Sequence, residues 1–506
     1  MASPSPNSSK LDRELMMVAY VVVLGAIMSI LDVTVVNVAI PTLAREFETT
    51  LSTIQWVVTG YTLALATVIP LTGWGADRFG TKRLYMLSLL LFTMGSVLSG
   101  LAWSAESLIG FRILQGLGGG MIMPAGMTIL TRAAGTDRIG RVMAVIGIPM
   151  LLGPIFGPIL GGWLVDDFSW RWIFFINVPI AIGALALSQR VLPRDVPKHD
   201  ETLDWLGLVL LSPGLAAVIY GLAESGSSGG FGEARVLVPI FAGALVLAIF
   251  VRHALRATNP LIDLRLFKNR VFTVSTATLV LVVISVFGGM LLLPLYLQGV
   301  RGESAMDTGL LLAPQGFGAM LSMPIAGRLS DRTGVGRIVP VGLVIVAVSF
   351  LALTQLEADT SYWAFGAVLF IMGLGMGATM MPTFSGAMQT LRQAQVARAS
   401  TTLNINQQVG ASIGTAVLSV LLAHALQSKL GSDAGIGALA AAPPGQRAEV
   451  ASLMAEAFGS TYWWALGLTV VAFAIAAPLL PKDKPPPVEG PGAEGEEAAP
   501  APVLVH

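Results

Sequence analysis

The sequence predicts an all-α polytopic membrane protein built from two related helical bundles. Three observations carry that reading: long apolar runs recur along the whole chain, the charged fraction is half that of a soluble domain, and two short motifs each occur twice in the same order. Of 506 residues, 54% are hydrophobic and 12% charged, and the mean hydropathy is +0.75. Soluble domains carry about 25% charged residues. Half that charge leaves too little polar surface for water, so the remainder must face lipid. The formal net charge of +0 points to no nucleic-acid partner. The absence of cysteine excludes disulfides, thiolate nucleophiles and Cys-ligated metals. The four His are scattered without metal-ligand spacing. No catalytic constellation occurs, so the expectation is no enzyme, no metal and no cofactor.

A helix needs roughly 20 apolar residues to cross the bilayer. Fourteen such segments begin near residues 15, 53, 84, 107, 141, 171, 204, 235, 272, 307, 338, 361, 402 and 461. Continuous apolar runs, rather than short alternating ones, select helices over a barrel. The opening MASPSPNSSK is polar, with no cleavage pattern before the first long run, which is expected to remain as span 1. With both termini cytoplasmic, inner loops and tails hold about 23 of the 30 Lys and Arg and outer loops about 6, the positive-inside bias. The expected divisions are a tail at 1–14, a six-helix bundle at 15–190, two inserted helices at 204–254 and a second bundle at 271–480. The second bundle includes an Ala- and Gly-rich outer loop at 425–460. A Pro-, Glu- and Gly-rich stretch at 482–506 reads as a disordered cytoplasmic tail.

The halves are recognised by repetition. GWGADRFGTKR at 73–83 recurs as GRLSDRTGVGR at 327–337, and GLGGGMIMP at 116–124 recurs as GLGMGATMMP at 373–382. Duplicated helical halves are a transporter signature, with the substrate site where they meet. Spans 7 and 8 have no counterpart in the repeat and read as an insertion between two six-helix halves.

Further motifs fall in order in the right spans: LDVTVVNVAIP at 31–41 in span 1, LIGFRILQGLGGG at 108–120 in span 4 and GPIFGPILGG at 153–162 in span 5. With the loop at 73–83 they resemble the major facilitator superfamily, and within it the 14-span branch of drug:proton antiporters. The resemblance covers nearly the whole chain apart from the two tails. It implies the major facilitator fold, two six-helix bundles plus two inserted helices. One departure is Thr81, where members often carry Arg or Lys; this alters the charge network of the loop.

Asp32 lies about eight residues from the outer end of span 1, roughly 12 Å deep at 1.5 Å per residue. A carboxylate there is costly unless paired, protonated or hydrated. Burial disfavours its charged form and a nearby cation favours it, so it reads either as a protonation site or as a hydrogen-bonded structural acid. Arg112 is the only Lys or Arg inside a span and lies about 9 Å deep. The similar depths suggest that the two communicate, directly or through water. The resemblance adds that spans 1 and 4 line the central cavity.

Asn37 and Gln115 are further polar groups on those spans, Asn404 and Gln407 lie in the NINQQVG run of span 13, and Tyr61 and Tyr296 offer rings to a flat or cationic substrate. Each is a substrate-cavity candidate, with ordinary packing as the plain alternative. Gly153, Gly157 and Gly161 recur every fourth residue, with Pro158 and Gly162 among them. Such stripes let backbones approach closely, here expected at a sealing or hinging interface between the halves. The resemblance implies that this motif separates exchangers from importers. It also implies that Gly73, Asp77, Arg78, Gly80 and Arg83 form a cytoplasmic gate, with Asp77 contacting the opposite half, and that Asp331 and Arg332 form its second copy.

The function these features predict is a proton-coupled antiporter exporting small amphipathic drugs or metabolites across the cell (inner) membrane by alternating access. No G-x-x-x-x-G-K-[ST] run occurs, so an ion gradient must supply the energy. An exporter of an endogenous lipid or cell-envelope precursor fits the same features, and a non-transporting receptor or scaffold is the remote alternative. The partners expected are a small-molecule substrate, protons and the lipid bilayer.

Overall fold

Every regular element in the computed structural model is helical; it describes residues 13–49, 51–134, 153, 156–157, 159–165, 167–193, 202–228, 230–258, 260–391, 395–431 and 438–483. The N-terminal half contains α1 (Arg13–Glu46), α2 (Leu51–Val68), α3 (Leu71–Phe79), α4 (Thr81–Gly100), α5 (Ala105–Ala134), α6 (Trp172–Phe175) and α7 (Asn177–Val191). The inserted pair is α8 (Trp205–Ser228) and α9 (Ala234–Ala254). The C-terminal half contains α10 (Arg270–Gly299), α11 (Ala305–Thr333), α12 (Val335–Leu353), α13 (Tyr362–Gln389), α14 (Val396–Leu430), the short α15 (Ala438–Ala441) and α16 (Arg447–Leu479).

Among the described residues, 12 helices are long and apolar enough to cross a membrane, or 13 if α2 and α3, bent by 54° at Pro70, form one span. The expected fifth span lies largely outside the described residues; those described in it, 153, 156–157, 159–165 and 167, are helical. Large apolar side chains such as Phe241, Leu245, Phe317 and Leu321 are exposed along these helices. That is the inverse of a water-soluble surface and suits a lipid solvent.

The repeat in sequence is a repeat in packing. α5 packs on α2 and α4, and its counterpart α13 packs on α11 and α12. The glycines of the second motif make that approach possible. A Cβ on Gly116 would sit 2.5 Å from the Tyr61 carbonyl oxygen, and one on Gly373 2.0 Å from that of Gln315. The first motif carries a glycine at its eighth position with nearly the same backbone in both copies: Gly80 has φ 88° and ψ 146°, Gly334 φ 87° and ψ 149°. L side chains rarely adopt that conformation, so a tight junction between two helices selects glycine there.

The inserted pair sits against the seam between the halves. Ser212 Oγ on α8 donates 2.6 Å to the carbonyl of Thr67 on α2, and Tyr220 stacks on Trp56 with centroids 5.9 Å apart. Leu211 and Leu215 of α8 share an apolar cluster with Ile69 and with Ile405 of α14. α9 packs on α8 and leaves Val238, Phe241 and Leu245 exposed. The segment 425–460, expected as a loop, is helical at both ends: α14 runs to Leu430 and α16 starts at Arg447. Apolar content falls below the spanning level there while helix propensity remains high, so the helices outlast the spans read from hydropathy.

Candidate functional site

Asp32, near the middle of α1, is almost completely buried, and its side-chain hydrogen-bond partners among the described residues are all N–H donors. Arg112 Nη1 of α5 lies 2.5 Å from Asp32 Oδ2. One helical turn along α5, Gln115 Nε2 donates to Asp32 Oδ1 at 2.8 Å, while Gln115 Oε1 accepts from the same Arg112 Nη1 at 2.8 Å. The i, i+3 spacing puts both α5 side chains on one face, so acid, guanidinium and amide close a ring. Asn177 Nδ2, at the start of α7, donates to Asp32 Oδ1 at 3.1 Å and to Ser96 Oγ of α4 at 3.1 Å. Ser96 Oγ in turn donates to the Phe174 carbonyl at 2.9 Å.

Arg112 is held on its other sides too. Its Nε donates to the Val57 carbonyl at 3.3 Å, and its Cζ sits 4.1 Å from the centre of the Tyr61 ring. That contact stabilises a desolvated cation and matters because Arg112 Nη2 has no hydrogen-bond partner. Asp32, Arg112, Gln115, Asn177, Ser96 and Tyr61 are all 0–1% exposed. A buried pair of this kind is poor evidence for stability, since desolvation can outweigh attraction. What the arrangement can do chemically is hold one exchangeable proton away from water, on a carboxylate that accepts from side chains of two elements, α5 and α7.

The cavity candidates divide. Gln115 and Tyr61 belong to the Asp32 network and have no open face in this conformation, contrary to the expectation that they line a cavity. The Tyr296 hydroxyl donates to the Glu357 carbonyl at 2.5 Å, and its ring packs on Phe365 and Phe458. It is therefore core of the C-terminal half rather than a free stacking platform. Asn404 and Gln407 on α14 are half-buried, and Asn404 Nδ2 donates to the Ser400 carbonyl. The Asn37 side chain lies outside the described residues; its backbone is part of α1.

The gating candidates also regroup. Gly73 on α3 is one point where the halves touch: a Cβ there would lie 3.1 Å from Thr401 Oγ1 and 3.6 Å from Arg398 Cα on α14. Beside it, Ser400 Oγ donates to the Pro124 carbonyl of α5 at 3.3 Å. Asp77, expected to reach the opposite half, instead pairs with Arg132 Nη2 of its own half at 2.9 Å. In the second copy Gln389 Nε2 lies 3.4 Å from Asp331 Oδ1, also within one half. Arg78 is half-buried, and Arg83 and Arg332 are exposed.

The glycine stripe departs from expectation as well. Cβ atoms on Gly153, Gly157 and Gly161 would meet Ile30, Thr34 and Val35 of α1, at 2.1, 2.0 and 3.0 Å. The stripe therefore seats the fifth span on the helix that carries Asp32, not on the opposite half. A row of small residues permits close approach to whichever helix lies nearest, and in this bundle that is α1. A Cβ on Gly162 would meet nothing within 4 Å, and Pro158 lies outside the described residues.

The family model described as Major Facilitator Superfamily matches residues 22–415. The chain belongs to that superfamily. Membership makes it a multi-pass membrane transporter with the two-bundle fold. The multidrug resistance protein B homolog of Mycobacterium tuberculosis (strain ATCC 25618 / H37Rv) is 44% identical over 505 residues, covering 94% of this chain and 92% of that protein. The multidrug export protein EmrB of Escherichia coli (strain K12) is 31% identical over 400 residues, 79% of this chain and 78% of that one. Two solved structures share the fold at low identity. The human organic anion transporter MFSD10 has a TM-score of 0.59 at 15% identity, covering 90% of this chain and 100% of its own. The proton:xylose symporter XylE has a TM-score of 0.59 at 14% identity, covering 94% and 97%.

Within this superfamily member, sequence reasoning missed Asn177 and Ser96. The available signal was weak: Asn177 is one polar residue in the otherwise apolar run WIFFINVPIAIG. A lone amide inside a span needs a partner in the bundle, and that partner is Asp32.

Proposed function

We propose that the chain is a proton-coupled secondary antiporter that exports small amphipathic drugs or metabolites by alternating access, with Asp32 as the coupling acid and Arg112 as the cation that competes with the proton. The observation that carries this is the sealed carboxylate at a mid-helix position, whose side-chain hydrogen-bond partners among the described residues are all N–H donors. Neutralising that carboxylate by a proton removes the reason for Arg112, Gln115 and Asn177 to converge on it. α1, α5 and the sixth span then re-pack, and substrate affinity changes with them. The multidrug names of two relatives of 44% and 31% identity favour drugs or drug-like metabolites as cargo.

The energetics suffice. One charge crossing 100 mV yields about 2.3 kcal/mol and one pH unit about 1.4 kcal/mol. One proton thus sustains a substrate gradient of roughly 500-fold. In this reading the protein lies in the cell (inner) membrane with both termini cytoplasmic, which places the loops at 73–83 and 327–337 inside. Bundles at 15–190 and 271–480 rock about the central cavity, and Asn37, Asn404 and Gln407 are its polar candidates. The Gly73 contact with α14 closes the cytoplasmic end, with Asp77–Arg132 and Asp331–Gln389 bracing the two halves beside it.

The test is flux in proteoliposomes under an imposed proton gradient, screened over cationic, neutral and lipid compounds. Wild-type protein is expected to move amphipathic drugs against their gradient and Asp32→Asn to lose that movement. Gradient-driven flux of labelled lipids alone would transfer the reading to an endogenous lipid. Uphill export by Asp32→Asn would remove Asp32 from the coupling role.

A further inference from the structure

We propose that Asn177 is a positioning residue that senses the protonation of Asp32: its amide turns over when Asp32 takes up a proton, and this carries the change from α1 into the sixth span. The proposal rests on the reading of Asp32 as the coupling acid.

The argument begins with donors and acceptors. Ionised, Asp32 only accepts; protonated, it has one O–H to donate. Its surroundings are built for the first state. Three residues supply N–H groups, and at 1% exposure the site is closed to water. A buried donor without an acceptor is costly, so one of the three must become an acceptor when the proton arrives. Arg112 has no acceptor atom. Gln115 has one, but it already accepts from Arg112 Nη1 at 2.8 Å; turning the amide would set Nε2 against the guanidinium.

Asn177 alone among the three can turn. Its other partner, Ser96 Oγ at 3.1 Å, is a hydroxyl and can donate as well as accept. After a half-turn, Asn177 Oδ1 accepts from the O–H on Asp32 Oδ1 and from Ser96. No covalent bond within Asn177 changes. The proton adds to Asp32 Oδ1 from water in a conformation of the transport cycle that opens the site, and leaves to water when the cycle reverses.

The turn has one mechanical consequence. Ser96 now donates to the Phe174 carbonyl at 2.9 Å and must give up that bond to donate to Asn177. Phe174 lies beside the interruption at Ile176 that separates α6 from α7, where Pro179 has no N–H to offer the carbonyl of Phe175. The segment that loses a bond is therefore one whose helical ladder is already incomplete. The charged and titratable groups facing the site are Arg112 from α5 and Tyr61 from α2, the latter meeting Arg112 through its ring. α4 presents Ser96, the sixth span Asn177 and Phe174, and the described fifth-span face glycine.

The experiment is hydrogen exchange on the full chain in lipid nanodiscs, followed in peptides covering 172–180 and corrected for intrinsic exchange at each pH. Wild-type exchange there is expected to rise several-fold once Asp32 is protonated. Asp32→Asn, a neutral mimic of that state, is expected to show the fast rate at every pH. Asn177→Leu has neither donor nor acceptor and is expected to lose the pH response. Should that variant not fold, Ser96→Ala serves: without the bond to Phe174, its exchange is expected to be fast throughout. Wild-type exchange that ignores pH, or a full pH response in either variant, overturns the switch. Export by Asp32→Asn, measured in parallel, separates the two readings. Lost export with pH-independent exchange leaves Asp32 as the coupling acid and removes Asn177 from the mechanism. Normal uphill export removes the coupling reading itself.

Discussion

Adding a single methyl group at Gly157 tests whether close seating of the fifth span on α1 sets the geometry of Asp32. An ideal Cβ there would lie 2.0 Å from Thr34 Oγ1 and 2.4 Å from Thr34 Cβ, whereas ordinary contact begins at 3.4 Å. Rotating the threonine removes the first clash but not the second, because Cβ is fixed to the backbone. The two helices must therefore part by about 1 Å locally, an overpacking that costs about 1–3 kcal/mol. Asp32 is two residues from Thr34, and its bonds to Arg112, Gln115 and Asn177 are 2.5, 2.8 and 3.1 Å long. A displacement of that size away from α5 and α7 takes the Gln115 and Asn177 contacts beyond hydrogen-bond reach and leaves the Arg112 contact a weakened ion pair.

Gly157→Ala is accordingly expected to lower both thermal stability in detergent and proton-driven export. Gly162→Ala, whose Cβ meets nothing within 4 Å, is expected to stay within about 0.5 kcal/mol of wild type. The double variant Gly157→Ala with Thr34→Gly removes both clashing atoms, the two nearest, and makes the 3.2 Å approach to the Thr34 carbonyl carbon the next nearest. It is expected to regain export, less about 1 kcal/mol for glycine within a helix. If Gly157→Ala behaves like Gly162→Ala in both assays, the stripe does not position Asp32 and the reasoning fails.

Arg112→Met strands a buried carboxylate and is expected to destabilise the protein by about 3–5 kcal/mol. Adding Asp32→Asn should recover most of that loss, and a thermal-shift cycle in which the second change recovers nothing would show that the two groups are not coupled. Gly80→Ala and Gly334→Ala each force an L residue to φ near 88° and 87°. A cost of about 1–2 kcal/mol is expected for the conformation, and more at Gly334, where the Cβ also meets the Lys482 backbone at 2.9 Å; wild-type melting of both would refute the strain argument. Because Arg112 already neutralises Asp32, the cavity offers little to a second positive charge. Of two compounds matched in size and lipophilicity, the one with a single fixed charge is expected to be exported faster than the dication, and the opposite ranking in proteoliposomes would reject this charge argument.

The sequence by itself determined the class of solvent, the helical spans among the described residues, the duplication and the placing of Asp32 and Arg112 inside long apolar helices. These follow from composition and from position along a helix, both one-dimensional properties: about 20 apolar residues must span lipid, and 1.5 Å per residue converts position into depth. The tertiary structure decided which faces meet. The glycine stripe at 153–161 was legible as a close-packing surface, but only the bundle makes α1 its partner. Asp77 was legible as an acid in a basic loop, but the reach of Arg132 from α5 gives it a partner in its own half. Gln115 and Tyr61 were legible as a polar group and a ring in spans, yet rotation of α5 and α2 about their axes turns Gln115 toward Asp32 and Tyr61 toward Arg112. Asn177 became visible only when the sixth span was packed beside α1 and α4. In lipid, hydrophobicity places a helix in the membrane but does not choose its neighbours; small residues, hydrogen bonds and steric fit do, and those depend on atoms from several helices at once.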